Sequence, residues 1–87
     1  KIGSSGNYAK IGSSGNYAQI EVEGKDGVVA NIGYEGKIKG AIGTWITLAE
    51  YDNNSKPLCV KSAQIDGKVL KANTWYTLKS GDFKVIN

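Results

Sequence analysis

Residues 1–9 read KIGSSGNYA, and residues 10–18 repeat the same nine letters without a change. The register continues, weakened, through QIEVEGKDG (19–27), VVANIGYEG (28–36) and KIKGAIGTW (37–45). The second column of this nonad is Ile2, Ile11, Ile20, Val29, Ile38. The sixth is Gly6, Gly15, Gly24, Gly33, and it breaks at Ile42. An internal repeat decides fold class ahead of other signals. A β-branched residue every nine positions, with glycine four later, is not a helical period, and Gly-Ser-Ser-Gly-Asn would break a helix.

The unit fits a short strand and a tight turn. Ala9 and Ile11 lie two apart and share a strand face, with Lys10 on the other. Ala18 and Ile20 do the same around Gln19. Further along, Ile20 and Val22 point inward while Glu21 and Glu23 point out. The glycine column is expected to supply turns that need positive φ. Stacking such units predicts a short β-solenoid with about two nonads per coil, neighbouring coils lying about 4.8 Å apart. A Gly/Ser tract also reads as a flexible linker. Against that, the β-branched column runs unbroken from the pure repeat into Ile20 and Val29. The solenoid segment is placed at residues 1–43.

From residue 44 the chain changes character. TWITLAEY (44–51) alternates like a strand, DNNSKP (52–57) is a turn cluster, and LCVKSAQI (58–65) is the next strand. Asp66-Gly67 signals a hairpin, with Lys68 to Lys71 returning; TWYTLK (74–79) and FKVI (83–86) flank a second hairpin at Ser80-Gly81-Asp82. Residues 44–87 are thus expected to form an antiparallel β-meander that packs on or caps the repeats. Trp45, Leu48, Leu58, Val60, Ile65, Leu70, Trp75, Leu78 and Val85 are the core candidates. The fold class is all-β.

Composition removes much chemistry. With no His and one Cys, the common zinc sites, a Cys-His nucleophile and an intrachain disulfide framework are excluded. The nonad turns hold Ser and Asn rather than Asp and paired glycines, so calcium is not expected either. No metal, cofactor or catalytic residue is assigned, and no enzyme is expected. The net charge of +3 arises from 11 basic and 8 acidic residues, and every basic residue is Lys. Those lysines are scattered, whereas a nucleic-acid binder clusters its basic residues and uses Arg for base reading, so a nucleic-acid partner is not expected. No apolar run is long enough to span a bilayer, and no membrane partner is expected.

The residues that could carry chemistry each have a plainer reading. Cys59, between Leu58 and Val60, reads as an inert buried thiol without a His to activate it. Glu21 and Glu23 share a strand face, the arrangement of a carboxylate pair for glycoside cleavage, but that face points to solvent. Trp45 and Trp75 read as core. The GxxG of the nonad resembles loops that clamp nucleic-acid backbones, which need a flanking helix pair absent here. Asn53-Asn54-Ser55 matches a glycan-acceptor triplet that is common by chance. Tyr8 and Tyr17 follow Asn in a turn, where one chain has difficulty burying them. With Ile2, Ile11 and Tyr34 they are the expected chain–chain contact.

The chain also resembles a family of small proteins from gut bacteria and their phages that carry arrays of S-G-N-Y-S-S-A-type nonads. The likeness rests on the repeats and on Gly33-Tyr34, Lys39-Gly40, Gly43, Trp45, Leu48-Ala49-Glu50, Asp66-Gly67-Lys68, Thr74-Trp75-Tyr76, Leu78, Gly81 and Phe83. It covers nearly the whole chain and implies no activity and no catalytic residue. In style the repeats are also similar to the β-roll heads of trimeric adhesins, which implies parallel coils and a trimer.

The expected function is a non-enzymatic structural module that self-associates through its repeats, as a homo-oligomer, a trimer or a fibre, because identical exposed strands invite edge pairing. The alternative is a surface module binding a glycan or a host-defence component. An extracellular or virion-surface location is favoured over the cytoplasm.

Overall fold

The computed structural model describes residues 2–86; Lys1 and Asn87, the outer bounds of the two expected segments, lie outside the described residues. The protein is all-β. Nine strands follow in order: β1 (Ile2–Ser4), β2 (Lys10–Ser13), β3 (Gln19–Val22), β4 (Val28–Asn31), β5 (Lys37–Gly40), β6 (Trp45–Tyr51), β7 (Pro57–Gln64), β8 (Trp75–Lys79) and β9 (Asp82–Ile86). They form two mixed sheets, one in the order β1-β3-β5-β8-β9 and the other β2-β4-β6-β7.

The first six strands alternate between the sheets, and β1 to β4 each pair in parallel with the strand two places on. Ile2 lies opposite Ile20, and Ile20 opposite Ile38; in the other sheet Ile11 lies opposite Val29, and Val29 opposite Ile46. Most of these partners are eighteen residues apart, twice the nonad. The β4–β6 step is seventeen, Val28 facing Trp45. The β-branched column therefore becomes two facing rows. Ile20, Val29, Ile38 and Ile46 are wholly buried, and Val22, Leu48, Ile65, Leu70, Tyr76 and Leu78 complete one cluster. Fully burying each such side chain contributes roughly 1.5–3 kcal/mol, which makes this cluster the main apolar term of the fold.

Beyond residue 44 there is no continuous meander. β6 and β7 pair antiparallel in one sheet, while β8 and β9 form an antiparallel hairpin in the other, β8 joining β5 at Ile38–Tyr76. Ser80 and Gly81 close that hairpin with φ of 53° and 77°, the backbone of a type I′ turn. Asp66-Gly67 does not make the expected hairpin. The Asp66 carboxylate instead accepts the N–H groups of Lys68, Val69 and Leu70 (2.8, 3.0 and 3.4 Å), and residues 65–74 cross between the sheets without forming a strand. A side-chain acceptor that takes successive backbone donors competes with ladder formation.

Four core candidates lie outside the core. Trp45 is half exposed, and Leu58, Val60 and Val85 are more exposed still. The register explains Trp45, since Ile46 opposite buried Val29 turns its predecessor outward. Edge strand β7 directs Cys59 and Ala63 at the core, so Leu58 and Val60 face away. Val85 lies on the other edge strand, where Phe83 supplies the packing. Trp75 is half-buried, because Tyr76 beside it takes the inward position.

Candidate functional site

Two features of the described residues are not accounted for by the core: the turns of the repeat and a row of tyrosines. In the first four turns the left-handed residue is the eighth of the nonad: Tyr8 (φ 62°), Tyr17 (58°), Asp26 (57°) and Glu35 (54°). The sixth-column glycines expected to take that role do not. Their reason is steric. A Cβ on Gly24 would lie 2.1 Å from the Gly6 carbonyl oxygen, and one on Gly33 2.1 Å from that of Gly15. Adjacent turns approach backbone to backbone, and only glycine leaves the room.

Hydrogen bonds tie those turns together. The Glu23 and Ile32 N–H groups donate to the Ser4 and Ser13 carbonyls (2.7 and 2.9 Å), and Tyr8 and Tyr17 N–H donate to the Lys25 and Tyr34 carbonyls (2.9 and 2.7 Å). The Asn7 side-chain oxygen accepts from Lys25 N–H at 3.1 Å. Inside, Asn31 is wholly buried and its Nδ2 donates to the Ala18 and Lys37 carbonyls (2.9 and 3.2 Å).

Of the expected contact residues, Tyr8 and Tyr17 are about two-thirds exposed and Ile2 more than a third, while Ile11 is half-buried against the core. Tyr34 is half-buried between two rings. Tyr17 meets it edge-on with centroids 5.7 Å apart, and Tyr51 lies tilted at 6.2 Å. Tyr51 also donates its hydroxyl to the Ile32 carbonyl. The row Tyr17–Tyr34–Tyr51 has a seventeen-residue spacing, one short of two nonads, so the nonad register does not bring Tyr51 into line with the other two.

Beside the row lies a cleft of about 140 Å³ lined by Tyr34, Glu35, Tyr51, Asn53, Thr77 and Lys79 among others. Glu50 forms one wall and holds the β8–β9 turn, its two carboxylate oxygens accepting the N–H groups of Ser80 (2.6 Å) and Gly81 (2.9 Å). The Lys79 ammonium lies 3.9 Å from Glu35 across the cleft. Sequence reading gives Asn53 only as part of an acceptor triplet and Glu50 only as part of a family resemblance, and it does not single out Lys79; the three come from separate strands and turns with no shared spacing that would bring them to one cleft.

The remaining candidates do not converge. Glu21 lies 3.7 Å from the Lys39 ammonium. Trp75 lies under the Lys37 and Lys39 ammoniums, 5.0 and 5.8 Å from the ring centroid. Cys59 is half-buried. The Asp66 carboxyl is held below its ordinary value, first by the Lys68 N–H; desolvation opposes this, and the Val69 and Leu70 N–H groups add to it. No group of three or more potential metal-ligating side chains occurs among the described residues. Comparison with family models, curated proteins and solved structures finds no match to this chain.

Proposed function

We propose that the chain is a non-enzymatic structural module, a short β-solenoid of two nonads per coil ending in two antiparallel hairpins, which self-associates through its repeat segment. The observation that carries the reading is the parallel register of eighteen residues through β1, β3 and β5 and through β2 and β4. A stack of this kind satisfies each strand with the next, and among the described residues β1 and β2 each have a strand on one side only. Exposed Tyr8, Tyr17 and Ile2 lie in the same first two nonads and would supply the apolar part of a contact. Sedimentation in buffer tests it: a mass that rises above the 9.3 kDa of one chain with concentration is expected, and a single-chain mass at every concentration contradicts it.

A second reading has one observation in its favour, the cleft beside Tyr34 and Tyr51. Its volume is of the order of one sugar ring, and aromatic faces with nearby amide, carboxylate and ammonium groups suit a glycan. Binding to an array of immobilised glycans that disappears in Tyr34→Ala, with oligomer mass unchanged, supports this reading; no retained glycan with the native chain contradicts it.

A further inference from the structure

The charged groups lining the cleft beside the tyrosine row are the Glu35 and Glu50 carboxylates and the Lys79 ammonium, two negative against one positive. The chain as a whole is the reverse, with 11 basic and 8 acidic residues and a net charge of +3. The cleft is thus an acidic recess in a basic protein, and a recess with low-dielectric walls focuses the field of its own charges.

Two of its walls are aromatic. The Tyr34 and Tyr51 rings, with centroids 6.2 Å apart and planes inclined at 42°, make a corner of the cleft. The negative face of an aromatic ring attracts cations, and rings set around a recess are a recurrent means of holding a ligand's ammonium group.

The chain's own cation does not fill that position. Lys79 approaches Glu35 only to 3.9 Å, beyond the roughly 2.7–2.9 Å of a charge-assisted hydrogen bond, and the two side chains are 58% and 41% exposed. An exposed pair of this length contributes little, so a competing ammonium displaces it readily. Glu50 accepts two N–H groups, from Ser80 and Gly81, but these donors are neutral, and among the described residues no ammonium forms an ion pair with it. A carboxylate has about four lone-pair sites, so two N–H groups do not exhaust its acceptor capacity. Asn53, exposed at the rim, supplies a donor and an acceptor for hydroxyl groups.

We infer that the cleft takes an amino sugar, held by its primary ammonium. The inference rests on the glycan reading of the cleft and adds the class of sugar. The ammonium enters the Tyr34–Tyr51 corner against Glu35 and Glu50 and displaces Lys79, while ring hydroxyls meet Asn53. A neutral hexose finds the same polar groups and leaves the excess carboxylate unpaired. An N-acetylated sugar has lost the charge, and an alkyl diamine has the charge without the hydroxyls.

Backbone amide shifts by nuclear magnetic resonance, in low salt, test it by titration with glucosamine, glucose, N-acetylglucosamine and cadaverine. Glucosamine moves the amides of Glu35, Asn53 and Lys79 and binds about ten-fold tighter than the other three, the worth of one charged contact. Added salt reduces that advantage. Glu35→Gln abolishes it, whereas Lys79→Gln, which removes the competing ammonium, tightens glucosamine binding several-fold; a merely structural Lys79 would not do so. Amide positions away from the cleft report that both variants are folded. Glucose or N-acetylglucosamine binding as tightly as glucosamine overturns the inference and leaves the glycan reading standing. Cadaverine binding as tightly, or Lys79→Gln weakening glucosamine, also overturns it. No shift with any of the three sugars overturns both the inference and the glycan reading.

Discussion

Substituting alanine down the glycine column separates close backbone approach from turn chemistry. At Gly24 the new methyl would be more than about 1 Å short of van der Waals clearance from the Gly6 carbonyl oxygen, which lies 2.1 Å from its position. The obstacle is backbone, so the two turns must separate. Separation loosens three hydrogen bonds: Glu23 N–H to Ser4, Tyr8 N–H to Lys25, and Lys25 N–H to the Asn7 side chain. At about 1 kcal/mol each these sum to about 3 kcal/mol. The smaller entropy of an unfolded chain with Ala in place of Gly returns about 0.4–1 kcal/mol. The net loss is about 2–3 kcal/mol, which lowers Tm by roughly 10–20 °C in a domain of this size. Gly33→Ala has the same contact with Gly15 and behaves alike. Gly6→Ala and Gly15→Ala meet no atom closer than 3.8 Å, and in dilute protein they leave Tm unchanged or raise it slightly. Thermal unfolding of the four variants by circular dichroism decides. Equal losses at all four positions would mean that the glycines serve turn conformation and that the stacked-turn argument is wrong.

Asn31→Asp replaces a buried donor of two hydrogen bonds by an acceptor facing the Ala18 and Lys37 carbonyls. It costs about 3–5 kcal/mol in denaturant unfolding at neutral pH, and the loss eases as the new carboxyl protonates in acid. Glu50→Ala leaves the Ser80 and Gly81 N–H groups without their acceptor. It costs about 1–2 kcal/mol, with faster amide exchange at both residues. Asp66 has a folded-state value below its ordinary one, so its contribution is complete above about pH 4 and is lost as the pH falls through the folded-state value. Asp66→Asn, compared with the native chain across an acid series, flattens that part of the stability curve.

The parts of the fold legible in the sequence were those in which one column had one physical job. Ile2, Ile11, Ile20, Val29 and Ile38 share a spacing because they occupy two facing rows, and a period survives in sequence when the same environment recurs. The glycine column was equally visible, but its cause was misread. Close approach and positive φ both favour glycine, and only the neighbouring turn distinguishes them. The left-handed positions fell instead on Tyr8, Tyr17, Asp26 and Glu35, where side-chain identity gives little warning. Trp45 and Val60 were read as core because apolar residues occupy both phases of their strands. Their facing is decided by partners such as Val29 and by the edge position of β7. The division of the last four strands between two sheets has no local signature, because the crossing at residues 65–74 depends on one carboxylate that gathers three N–H groups. The cleft wall at Glu50 and Lys79 was invisible for the same reason, being assembled from β6 and β8.

Backbone proton contacts by nuclear magnetic resonance test the eighteen-residue pairing most directly. Cross-strand contacts are expected between Ile20 and Ile38, Ile11 and Val29, and Ile2 and Ile20, with slow amide exchange at Glu23, Val28 and Ile32. Rapid exchange at all three amides, with no contact between residues eighteen apart, would contradict the account from its first step.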